Sequence, residues 1–322
     1  MYTEMHARSA FSFLEGASVP EEMAAACARL GMSAMAVLDR DGAYGAPRFY
    51  LAAKKSSVKA HIGAEVTSAL GWRYPLLVNS RVGYQNLCRL ITRMKLRARK
   101  GEGHVEREEI AELREGLICL TGGEEGPLAA ALQEGGLARG TKCMQGLCEL
   151  FGRENVYVEL QRHYGREEEA RNQAGVEIAR KLSLPLLATN GVCHATPDER
   201  ELLDVFTCIR HHRVLATAGR LLCRNSERHL KSPAEMERLF ADLPEAIANT
   251  QELSSRLEFT LNDLGYEFPK YPVPKGSSQM QFLRERTHEG MLRGMDVRTR
   301  RPANKSTARW RSSKSSIFLG IS

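Results

Sequence analysis

The sequence predicts an α/β fold in which seven strands alternate with helices and roll into a closed or nearly closed barrel, followed by a small helical segment. Three observations predict it. Seven short apolar, β-favouring runs are spaced between Tyr2 and Thr189, and helical stretches lie between most of them. Each run also ends in a polar or glycine cluster, which is where an α/β barrel gathers its functional side chains.

Taken in order, Tyr2 to Met5 reads as the first strand, followed by the cluster His6-Ala7-Arg8-Ser9 with Glu15 behind it. Ser18-Val19-Pro20-Glu21 reads as a capping box with Ser18 as N-cap, and the helix Pro20 to Leu30 stops at Gly31. Ala34 to Leu38 is the second strand and leads into Asp39-Arg40-Asp41-Gly42. Ala46 to Ser56 is a helix, and Val58 to Val66 a third strand carrying Gly63-Ala64-Glu65. Tyr74 to Val78, Leu117 to Thr121, Val156 to Leu160 and Pro185 to Thr189 complete the set, the last running into Asn190-Gly191-Val192-Cys193-His194. Intervening helices are expected near Val82–Arg93, Thr141–Phe151 and Arg166–Leu182, an alternation that predicts a parallel sheet with crossover helices.

Beyond Thr196 the pattern becomes helical. Pro197 to Arg210 places Leu202, Leu203, Val205, Phe206 and Ile209 on spacing suited to one buried face. Ser232-Pro233-Ala234-Glu235 opens another helix with a capping box, and Pro244 to Leu257 and Gln279 to Arg293 give two more. The proline-dense Phe268 to Pro274 reads as an extended strap. From Val297 no periodicity remains, and disorder is expected.

Composition narrows the function classes. Apolar residues at 43% and charged residues at 26% are ordinary for a soluble globular chain. No run of about 18 apolar residues exists and the start lacks an apolar signal core, so neither a membrane span nor secretion is expected. The eight cysteines form no C-x-x-C pair, which fits a reduced, cytoplasmic protein. Seven basic residues from Arg298 to Lys314, with no acid among them, account for the whole surplus of +7. The body is therefore neutral, and weak nonspecific nucleic-acid binding is expected of the tail alone.

The words Met5-His6-Ala7-Arg8-Ser9-Ala10-Phe11-Ser12-Phe13-Leu14-Glu15-Gly16-Ala17-Ser18, Leu38-Asp39-Arg40-Asp41-Gly42-Ala43-Tyr44-Gly45 and Ile62-Gly63-Ala64-Glu65 resemble a known domain. They are similar to the N-terminal PHP (polymerase and histidinol phosphatase) domain of error-prone C-family bacterial DNA polymerases, which resemble the DNA polymerase III alpha subunit. Gly83-Tyr84-Gln85-Asn86-Leu87, Phe151 to His163, Leu187 to Asn190, Leu230 to Met236 and Tyr271-Pro272-Val273-Pro274 extend the likeness over roughly residues 1 to 295. The resemblance implies a distorted seven-stranded PHP barrel over 1–198 and a helical segment closing it over 199–262. It implies a strap and linker toward a polymerase palm over 263–296, and leaves 297–322 as an aberrant basic tail. A shift of reading frame near Met295 to Arg298, truncating the polymerase before its palm, is the expectation drawn from that tail.

The resemblance also implies a metal set, carried over position by position. His6, Glu15 and Glu65 stand where ligands are expected, and Cys193 is a substitute with His194 one place late. Arg8, Arg40, Gly123 and Gly191 replace expected ligands, and another expected histidine falls near Met94 or Lys95. A guanidinium cannot deprotonate, so Arg8 and Arg40 put permanent charge where cations would sit and are expected to pair with Glu15, Glu65, Asp39 or Asp41. The set His6, Glu15, Glu65 and Cys193 is thus expected to be vestigial. No catalytic residue and no cofactor is expected, and manganese or zinc would enter only if the residual set still binds one.

Other candidates read as structure. Glu159 with His163 is more simply a hydrogen-bonded strand end than an acid–base pair. His211-His212-Arg213 reads as an exposed turn, and the glutamates of Gly122-Gly123-Glu124-Glu125-Gly126 disfavour phosphate. The basic run Arg93 to Lys100 suits a nucleic-acid backbone or a solvated loop. By resemblance the chain is the front part of a translesion DNA polymerase, working with DNA and with replication and mutasome proteins in damage tolerance. A free-standing PHP phosphoesterase or exonuclease and a non-catalytic scaffold remain as alternatives.

Overall fold

Seven strands hydrogen-bond in chain order: β1 (Glu4–Ala7), β2 (Ala34–Arg40), β3 (Lys59–Thr67), β4 (Arg73–Val78), β5 (Leu117–Leu120), β6 (Val156–Leu160) and β7 (Leu186–Ala188). This computed structural model describes residues 2–99, 101–264 and 271–294. The predicted tail 297–322 and the opening of the strap, 268–270, lie outside the described residues. Contacts divide the chain into two units, Met1–Leu264 and Gly265–Ser322.

The sheet is mixed, which corrects the expectation of a parallel one. β4 runs antiparallel to both β3 and β5, while the other neighbours are parallel. The connection 68–72 is a tight hairpin, with Ser68 N bonded to Trp72 O at 2.8 Å, far short of the roughly dozen residues a crossover needs.

Closure occurs at the rim and by a plug. Arg8 N donates to Val192 O at 2.8 Å and Val192 N to His6 O at 3.0 Å, so the segment after β7 pairs with the end of β1. Nearer the strand starts, a helix fills the gap. Asn249 of that helix, α10 (Pro244–Arg256), donates to Leu186 O at 2.7 Å, and its Gln251 to Thr3 Oγ1 at 2.7 Å. Alternation does the rest: Ala36, Leu38, Leu77, Ile118, Leu120, Tyr157 and Leu187 point inward with Met5 and meet Leu253 and Leu257 of α10 in one buried cluster. The opposite set, including Val37, Ile62, Leu76 and Val158, packs outward against helices.

Those helices are α1 (Pro20–Arg29), α2 (Ala46–Lys55), α3 (Arg81–Arg97), α4 (Arg107–Leu113), α5 (Pro127–Phe151) and α6 (Arg166–Leu182), then α7 (Arg200–Arg210), α8 (Leu215–Ala218) and α9 (Pro233–Leu239) before α10. The expected cap of α1 shifts by one residue, because Val19 is the N-cap and its N–H goes to Glu22 at 3.0 Å. Ser18 instead donates to Glu199 at 2.9 Å, which ties this turn to the segment after β7. The Ser232 box opens α9 as read, with Glu235 accepting from Ser232 N at 2.8 Å. Helix α4 and the first half of α5 were not legible, the latter because Gly135 and Gly136 kink it.

One predicted face is wrong. Of the five residues expected on that face of α7 only Leu203 is buried, while Leu202, Val205 and Ile209 are exposed. In the second unit, α11 (Gln279–Gly294) forms, residues 271–274 carry neither helix nor strand, and the rings of Tyr271 and Phe282 stack at 5.9 Å.

Candidate functional site at the barrel mouth

Strand alternation carries a second set of inward side chains to the open rim. Arg40 lies two residues past Leu38, and Glu159 two past Tyr157. Glu65 follows the inward-facing His61 and Gly63, and because β4 is antiparallel its first residue, Arg73, reaches the same level. β1 arrives with a bulge, since Glu4 pairs with Met35 but Ala7 with Val37, and this aims His6 into the mouth below Met5's neighbours. Loops supply Glu15 and Glu125, and the end of α7 supplies Arg210.

These groups form one ion-pair lattice. His6 Nε2 lies 2.5 Å from Glu65 Oε1 and its Nδ1 lies 2.7 Å from Glu159 Oε1. Arg8 Nε donates to the same Glu65 oxygen at 2.7 Å, and its far end binds Glu125. Arg73 bridges Glu15 at 2.7 Å, Glu125 at 3.2 Å and Glu65 at 3.4 Å. Glu15 also takes Arg40 and, at 2.8 Å, Arg210. Gln161 Nε2 donates to Glu159 at 2.7 Å, and Thr189 donates to the same oxygen.

The electrostatics follow from this geometry. Burial alone would lower the His6 pKa, but Glu159 and Glu65 outweigh it and raise it to about 10, so the ring is a cation that donates from both nitrogens. Burial pushes the carboxyl of Glu65 up, yet Arg8, His6 and Arg73 hold it well below the usual range. Glu15 and Glu125 are held down in the same way, chiefly by Arg73 and Arg8 respectively, against their burial.

Of the predicted residues, the structure unites His6, Arg8, Glu15, Arg40 and Glu65, with the expected pairs Arg8–Glu65 and Arg40–Glu15 formed and Arg40 also 3.4 Å from Asp41. Asp39 pairs with no arginine among the described residues. It accepts from Ser9 N at 2.8 Å and Ser12 Oγ at 2.8 Å and so fastens the loop that delivers Glu15. Cys193 packs in an apolar cluster with Ala17 and Leu203, its thiol 3.6 Å from Gly191 O. His194 is buried with Nδ1 2.7 Å from Thr196 O, and Met94 belongs to the outward core. Glu159 and His163 are not partners: His163 binds Glu168 at 2.7 Å and Asn190 O at 2.8 Å. In the basic run, Arg93 and Arg97 pair with Glu112 and Glu109 of α4. Sequence reasoning missed Arg73, Glu125, Gln161 and Arg210, and dismissed Glu159. A charged residue opening an apolar strand was the available signal for Arg73.

Gln161 occupies the space of two expected ligands. A Cβ on Gly123 would lie 2.3 Å from Gln161 Oε1, and one on Gly191 2.5 Å from Gln161 Nε2. The cavity left at the mouth is about 10 Å³, near the least that one water needs. Residues 4–163 of this barrel match the family model described as the PHP domain.

A PHP domain therefore occupies residues 4–163 of this chain. Its sequence relatives are error-prone DNA polymerases. The one from Pseudomonas syringae pv. tomato is 33% identical over 312 residues, covering 95% of this chain and 29% of the relative. The one from Mycolicibacterium paratuberculosis is 35% identical over 301 residues, covering 90% and 28%. The chain thus spans less than a third of the length of these relatives. Among solved structures, an amidohydrolase from Chromobacterium violaceum aligns over 60% of this chain and 88% of its own, at 10% identity and a TM-score of 0.43. As arranged, the PHP mouth does not fit a divalent cation. Its carboxylates face guanidinium groups, its imidazole is already engaged at both nitrogens by Glu65 and Glu159, and no group of three or more His, Cys, Asp or Glu among the described residues is placed to hold a metal ion. No helix among them is long and apolar enough to cross a membrane.

Proposed function

We propose that this chain is the PHP module of an error-prone DNA polymerase, and that its barrel mouth is a degenerate metal site held shut by arginines. The observation that carries the reading is the replacement chemistry itself. Arg8 and Arg73 contribute fixed charge beside Glu65, and the Gln161 amide fills the volume over Gly123 and Gly191. A metal-dependent phosphoesterase needs an open coordination position and a water activated by the cation. Here the donors are already committed, so the module's role is structural: a rigid barrel that supports the polymerase in DNA synthesis, including synthesis across damaged template. DNA and replication proteins are then partners of the polymerase as a whole.

The test is metal content by mass spectrometry after purification from manganese- and zinc-supplemented medium, alongside hydrolysis of p-nitrophenyl phosphate. Strongly substoichiometric metal and no hydrolysis above a heat-treated control are expected. A full equivalent of manganese or zinc per chain, with hydrolysis that chelator abolishes, would overturn the reading.

A further inference from the structure

The exposed stripe on α7 continues into a protruding segment with a distinctive composition. Between Asp204 and Glu227 the chain carries Arg210, His211, His212, Arg213, Arg220 and Arg224 and no acidic residue. Arg210 is engaged by Glu15, while Arg213, Arg220 and Arg224 are exposed and form no ion pair among the described residues. The same stretch holds up aliphatic side chains: Ile209 is 54% exposed, Val214 65% and Leu215 54%, with Leu202, Val205 and Leu221 beside them in sequence and also exposed. Helix α8 packs on α7 and the turn after it packs on α8, so these residues belong to one region of the surface.

We propose that the α7–α8 segment is a docking surface for an acidic, amphipathic protein segment. Scattered single hydrophobes on a surface are ordinary, but a helix stripe at i, i+3 and i+7 continued by a second aliphatic group is the pattern of an interface. The unpaired arginines set the sign of the partner, because like charge would be repelled and acidic flanks are attracted and steered in. The aliphatic chemistry sets its class. Nucleic acid is gripped by stacking on exposed aromatic rings, whereas this stretch has no Trp or Tyr and its Phe206 is half-buried. A protein helix with an apolar stripe and acidic edges matches both features.

The experiment uses the full chain and a fluorescein-labelled synthetic helix bearing a leucine stripe with glutamates on its other faces. Two further probes are the same stripe with lysines and single-stranded oligo-dT. Binding is read by fluorescence anisotropy at low and at physiological salt. The acidic peptide is expected to bind at least about tenfold more tightly than the lysine peptide or oligo-dT. Ile209→Glu and Arg220→Glu should each weaken it about tenfold or more, the latter also flattening the salt dependence. Leu96→Glu, on the exposed side of α3, should leave it unchanged. All three positions are on the surface, so unchanged circular dichroism melts would confirm folding. No preference for the acidic peptide, tighter binding of oligo-dT, or indifference to Ile209→Glu would each overturn the proposal.

Discussion

Replacing Glu65 by Gln keeps the shape of the side chain and removes the charge at the centre of the mouth lattice. Glu65 is fully buried, and His6, Arg8 and Arg73 all lie within 3.4 Å of it. The amide can still accept a hydrogen bond, but three cations then confront one another with only Glu15, Glu125 and Glu159 to balance them. Breaking a buried pair by removing one partner costs about 3–5 kcal/mol, and the number of partners places this variant in that range. Such a loss is a large fraction of the roughly 5–15 kcal/mol typical of a whole domain. It corresponds to a fall in Tm of roughly 6–20 °C for a domain of this size. Urea denaturation followed by circular dichroism gives the free energy directly. A second signature should accompany it: with Glu65 neutral, His6 loses its proton at lower pH, so the variant should be least impaired in alkali. A loss below about 1 kcal/mol would refute the reasoning, since it would mean that the arginines are well solvated in this mouth.

Three further outcomes follow. Stability should peak between about pH 5 and 6.5. The proton on His6, with a folded pKa of about 10 against an ordinary 6.5, contributes fully below 6.5 and is lost as pH rises through 10, while the depressed Glu65, Glu15 and Glu159 contribute above 4.5 and lose that contribution as pH falls. Buried Glu4, raised to about 7, favours the folded protonated form and adds to the decline between 4.5 and 7, so urea midpoints across pH should fall on both sides of the peak. Gly191→Ala should destabilise by about 1–3 kcal/mol, through its φ of +50° and the clash with Gln161, and Gln161→Ala should relieve the clash part, giving a favourable coupling in a double-mutant cycle. Leu253→Ala, which hollows the plug between α10 and the barrel interior, should cost about 2–5 kcal/mol by the same denaturation assay.

The sequence by itself determined most of the elements. Short apolar, β-favouring runs located all seven strands to within a few residues, and the helix over Arg166–Leu182 matches in full. His6, Glu15 and Glu65 could be named through the family resemblance, and the pairing of Arg8 and Arg40 with carboxylates could be foreseen because a buried guanidinium must find an anion. Local pattern reaches no further than its own segment. The reversal of β4 depended on the short hairpin at 68–72, and that reversal alone brings Arg73 to the mouth. Glu125, the pair Glu159 and Gln161 at the end of β6, and Arg210 come from three different segments, and only closure of the barrel sets them against His6, Glu65 and Glu15. The same limit explains α7, where spacing marks an apolar face but only the packing of the whole unit decides whether anything covers it. Side-chain periodicity is a property of one strand or helix, whereas charge balance and burial are properties of the space between them.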